Sequence, residues 1–272
     1  MKIRVLAIIA SAAVAILSAC SDNSTNSPGS TKNYYPTTVG SSWQYETAEI
    51  DTAGKDIGTP SQYTESIART VDTLGKTKVA IRTNGTSYSY PYVVEGSSLW
   101  LFGDSFSFAT GGVEAGARWN KYADFTSQAQ WKIYDTTLTG IKDTLDISGT
   151  PVPITIDGEL TVNGKNSGTE TITVKGKTYT DCAKITLTFG TSIKVKGSLL
   201  GVPLEVPVTS TSTSTYWYAD NVGLVKAVST PLIPKADVSS VPLPFQSTVA
   251  DAVKGMSAPG DRMELISSTI AK

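Results

Sequence analysis

From Ile154 to Val162 apolar and polar residues alternate without a break. Ile154, Ile156, Gly158, Leu160 and Val162 fall on one side, and Thr155, Asp157, Glu159 and Thr161 on the other. A repeat of two sends successive side chains to opposite faces of a pleated strand, so one face is free to form a core. Ala183, Ile185, Leu187 and Phe189 repeat the pattern against Lys184, Thr186 and Thr188. Strong helical periodicity is missing everywhere in the chain. Such a sequence buries its apolar residues by pairing strands, not by packing helices.

Further strands are expected over 62–71, 78–82, 88–95, 98–102, 169–174, 216–218 and 224–228, with Ile193 and Val195 continuing after Gly190. Turn chemistry stands at Asn84-Gly85, Gly103-Asp104, Asn163-Gly164, Asn166-Ser167-Gly168, Gly176 and Asp220-Asn221. One short helix, Ser247 to Lys254, is stopped by Gly255, and Met263 to Ile270 reads as a closing strand. The fold class that follows is mostly β, a curved antiparallel sheet or half-open barrel with at most short helices. Gly40-Ser41-Ser42-Trp43 and Gly116-Ala117-Arg118-Trp119 share a spacing, and each predicts a strand opening with its indole on the core. Two such matches are too few for a repeat architecture.

Thr209 to Thr215 alternates threonine and serine. As low complexity it would be a linker. As a strand it continues Leu204, Val206 and Val208 in register, and threonine favours that state. The strand reading places Ser210, Ser212 and Ser214 on the formerly apolar face, followed by Tyr216 and Tyr218, with Trp217 opposite. Small side chains facing a close-packed interior imply unfilled volume, so these five residues are the candidate ligand-binding set. A bulge that turns the serines outward is the competing reading. For the aromatic residues themselves, packing is the first expectation.

Charge is nearly balanced, with 23 Lys and Arg against 24 Asp and Glu, and offers no basic patch for nucleic acid. Histidine is absent, which removes Ser-His-Asp and Cys-His catalysis, imidazole bases and most zinc and copper sites. Carboxylate catalysis, Ser-Lys pairs and all-oxygen calcium sites survive that cut. Asp135, Asp143 and Asp146 lack calcium-loop spacing and read as solvated charges. Glu159 and Glu170 have nothing to place them across a cleft as a glycosidase pair. Gly103 and Gly111-Gly112 lack the Lys-Ser/Thr ending of a phosphate loop. No metal and no cofactor is expected, and the protein is read as non-catalytic. Cys182 lies in an alternating run and reads as a small buried hydrophobe.

At the start, Lys2 and Arg4 precede an apolar run to Leu17, which ends in Leu17-Ser18-Ala19-Cys20. This has the parts of a secretory signal, and the run is short for a membrane span of about 20 residues. The Leu-Ser-Ala-Cys ending resembles the lipobox of bacterial lipoproteins. That resemblance implies a signal peptide over 1–19 and lipid, palmitate included, on Cys20. Residues 20–33 are polar and small and read as a flexible tether, and 34–272 as a single mostly-β domain. Ser21 resembles the outer-membrane sorting pattern, which implies an anchor in the outer membrane of the bacterial envelope.

Tyr34-Tyr35-Pro36 with Gly40, Trp43 and Tyr45 resembles the opening of uncharacterised envelope lipoproteins. The runs Val174–Lys184 and Tyr216–Lys226 resemble their later strands. These proteins are similar to half-open barrels of the LolA/LppX type, whose curved sheets hold acyl chains. The expected partners are therefore the membrane, through the N-terminal lipid, and a lipid or hydrophobic ligand. The alternative is a structural or adhesive envelope module that contacts glycan or protein, and a third is a carboxylate hydrolase.

Overall fold

The computed structural model describes residues 32–84, 89–103, 117–147, 149–199 and 201–272. The signal peptide, Cys20, Gly85, Asp104, Gly111-Gly112 and Gly116 lie outside them. Strands β1 (Ser42–Ile50), β2 (Asp56–Thr73), β3 (Lys76–Thr83), β4 (Ser89–Glu95), β5 (Ser98–Gly103) and β6 (Arg118–Asp124) form the first half. Strands β7 (Trp131–Ile147), β8 (Thr150–Val174), β9 (Lys177–Leu199), β10 (Val202–Ala219), β11 (Gly223–Ser229), β12 (Lys235–Ala236) and β13 (Gly260–Thr269) form the second. Twelve of these strands make an antiparallel sheet nearly closed into a barrel, in the order β6-β5-β4-β3-β2-β1-β13-β11-β10-β9-β8-β7, with β12 on the side of β10. The expected curved, mostly-β fold is the one observed. One helix, α1 (Gln246–Lys254), starts one residue before the sequence expectation and ends where expected.

The turns expected at 163–168 are not turns. β8 runs 25 residues straight through them, and β9 likewise passes Gly190 over 23 residues. The glycine and asparagine serve other ends. A Cβ on Gly164 would lie 2.2 Å from Cε2 of Trp131, so its bare backbone makes room for that indole. At Asn166 the pairing with β9 shifts through a bulge, the other structure such residues favour. Lys175 and Gly176, with φ of 49° and 81°, do form the tight turn between β8 and β9.

Between the two ends of the sheet, side chains replace the missing ladder. Trp131 Nε1 donates to Lys121 O at 2.8 Å and Asn166 Nδ2 to Asp124 O at 3.0 Å. The Asp124 carboxylate accepts from Lys121 and from the N–H groups of Thr126 and Ser127. Burial works against its charge, but these donors prevail and hold its pKa at about 2. Trp43 packs inward as expected. Trp119 does not: it alternates with the buried Asn120 and Tyr122, which puts its ring on the outer face. There it meets Phe102 edge-on and donates to Leu74 O at 2.9 Å.

Candidate functional site

The inner face of β10 changes character along its length. Leu204, Val206 and Val208 come first, then Ser210, Ser212 and Ser214, then Tyr216 and Tyr218, and all eight are buried. The alternation across the Ser/Thr run is unbroken, so the serines face inward and the run is strand. Each serine is bonded. Ser210 Oγ meets Thr191 Oγ1 at 2.6 Å, Ser212 Oγ donates to Thr230 O at 2.7 Å, and Ser214 Oγ meets Ser229 Oγ at 2.7 Å.

Three zones of the interior follow from this gradation. Over the aliphatic part lies α1, which buries Val249 and Val253. A cavity of about 10 Å³ remains between them, lined by aliphatic side chains such as Leu145, Val152, Val195 and Val206. In the middle zone Ser229 pairs across the sheet with Ser214 and with Asp261, and Asp261 with Glu49. Oδ2 of Asp261 is buried without a hydrogen-bond partner. Burial first, and Glu49 second, raise the pKa of its carboxyl to about 7.

The third zone is aromatic and encloses charge. Strand alternation brings Glu65 and Arg82 inward, each 1% exposed, and Nη2 of Arg82 donates to Glu65 Oε2. The Trp43 ring lies 4.7 Å from the guanidinium. Burial opposes the charge on Arg82, but Glu65, then Tyr45, Tyr35 and Tyr92, more than offset this and raise its pKa. Tyr218 is likewise pushed well up by burial. Tyr35 stands edge-on to Tyr92 at 5.3 Å and lies 5.8 Å from Tyr218. It arrives on residues 32–37, ahead of β1. Asn33 N donates to Asp220 Oδ1 at 2.6 Å, Asn221 N to Asn33 O at 2.8 Å, and Tyr34 OH to Asp181 O at 3.2 Å. Sequence reasoning did not find the Arg82–Glu65 pair. Its signal was the place of Glu65 between Tyr63 and Ile67 in a two-residue alternation.

Other candidates sit apart. Asp135 pairs with Lys132 at 2.5 Å, while Asp143 and Asp146 accept from nearby main-chain N–H groups. Among the described residues no three His, Cys, Asp or Glu side chains come together as metal ligands. Glu159 is exposed, and Glu170 bonds Trp217 and Lys184. Cys182 is buried with a thiol pKa raised by burial to about 11.

No family model matches the chain, and no curated protein matches it. One solved structure is similar over 88% of this chain and 100% of its own, at 13% identity and a TM-score of 0.39. It is a protein from Parabacteroides distasonis, given there as a lipoprotein only by inference. A likeness of that size carries no argument about family or function.

Proposed function

We propose that this is a lipid-anchored protein of the bacterial envelope, held at the outer membrane through Cys20. It is non-catalytic and binds an apolar or amphiphilic ligand inside its curved sheet. The observation that carries the reading is the gradation along the inner face of β10. An aliphatic stretch, a hydroxyl stretch and a tyrosine stretch in one line suit a molecule with an apolar body and a polar end. The tail end lies under α1, beside the aliphatic cavity. Ser210, Ser212 and Ser214 line its course and Tyr216 and Tyr218 its polar end. The lack of histidine agrees with a binding role. The test is native mass spectrometry of the full-length protein purified gently from membranes, with solvent extraction of bound lipid. Stoichiometric co-purifying lipid, beyond the anchor itself, supports the reading. A protein that carries none would instead favour a module that works through its outer surface.

A further inference from the structure

Arg82 and Glu65 are a buried ion pair with capacity left over. Nη2 is bonded to Glu65, whereas Nε and Nη1 are buried with no hydrogen-bond acceptor. A guanidinium carries five N–H donors, and leaving them unmet in a low-dielectric interior is costly. Tyr35, which meets Tyr92 and Tyr218 in this zone, lies outside the named strands. It is carried in by the segment ahead of β1, which is held at the β10–β11 turn through Asn33, at Asp181 through Tyr34 and by a β-bridge at Thr37, so Tyr35 fills this zone from outside the long strands.

We propose that the aromatic end of the barrel is a ligand site occupied by the chain's own Tyr35, and that its ligand is an uncharged acyl ester or amide whose carbonyl accepts from Arg82. This deepens the ligand-binding reading above and rests on it. Charge decides the ligand class. Glu65 already cancels Arg82, so a bound carboxylate would leave one negative charge uncompensated in a site from which water is excluded. An ester carbonyl takes the free N–H groups and adds no charge. The surrounding rings of Trp43, Tyr92 and Tyr218 supply the apolar wall.

The experiment titrates the full-length protein and its Tyr35→Ala variant with cis-parinaric acid and with its methyl ester at pH 8, following probe fluorescence. The ester should bind about tenfold more tightly than the acid, because only the acid brings an uncompensated charge. Tyr35→Ala should tighten ester binding by about tenfold, since it removes the competing occupant. Thermal unfolding checks that the variant folds. Independently, saturating ester should speed amide exchange at Asn33 and Asn221 of the wild type, whose N–H groups hold the docked segment. Equal binding of acid and ester overturns the ligand class. Unchanged affinity in a folded Tyr35→Ala variant, or unchanged exchange at both amides, overturns the plug. Either result alongside wild-type ester binding leaves the broader ligand reading standing. Failure of both probes to bind any form of the protein overturns both.

Discussion

Trp43 is 1% exposed, donates its indole N–H to Val222 O at 2.7 Å and stacks on Arg82. Trp217 is half-buried on the outer face, where it bonds Glu170. Trp43→Ala should therefore cost about 3–5 kcal/mol, and Trp217→Ala nearer about 1 kcal/mol. Urea unfolding midpoints decide this, and equal shifts would count against the burial argument. The ion pair obeys a different rule. Glu65→Leu alone strands a buried cation and should cost about 3–5 kcal/mol, whereas Glu65→Leu with Arg82→Met should recover most of that loss. Asp261 gives a pH signature. Its native pKa of about 7 lies above the ordinary value of 3.8, so the native state keeps the proton longer than the unfolded chain. The contribution of this group to stability is highest below pH 3.8 and is lost as pH rises to 7. Asp124 runs the other way, since its lowered pKa adds stability above pH 3.8 that is lost as pH falls towards 2. The difference between wild type and Asp261→Asn isolates the first effect. The variant should gain in relative stability between pH 4 and pH 8, and parallel pH profiles would rule that out.

Within elements, the seam between β6 and β7 depends on Gly164. A methyl group there meets the Trp131 ring at 2.2 Å, so Gly164→Ala should expel the indole from its bond to Lys121 O. An overpacking cost of about 1–3 kcal/mol is expected, with a red-shifted tryptophan emission, and an unshifted spectrum would contradict it. The same strand marks how far the sequence could be read. Alternation at 154–162 and 204–218 was enough to place each side chain on its face, because period two has only two answers. Asn163-Gly164 and Asn166-Ser167-Gly168 carry turn chemistry, yet the chain continues through them. Whether such residues make a turn or a bulge depends on partners far away in sequence, here Trp131 and Asp124. The candidate site divides likewise. The inward serines and tyrosines of β10 were legible. Arg82 and Glu65 were not, since a charged residue in a strand reads as solvent-facing until the curl of the sheet shows which face is enclosed.

At the scale of the molecule, the proposed anchoring rests on Cys20. Cys20→Ala should release the protein from the membrane fraction or leave it unprocessed, and it should abolish palmitate labelling. A variant that fractionates and labels like wild type would remove the anchor from the argument. Docking of Asn33 and Tyr34 against Asp220, Asn221 and Asp181 then has a geometric consequence. Only the thirteen residues from Cys20 to Lys32 would separate a lipidated cysteine from that docked segment, a reach of at most about 45 Å when fully extended. So short a leash would give the anchored molecule an up and a down. The Tyr34–Tyr35 end would then face the bilayer, and the tips of the long β7–β8 and β9–β10 hairpins, at the other end of β10, would point away from it. On that arrangement, a lipid leaving the membrane would meet the Tyr35 end of the barrel first.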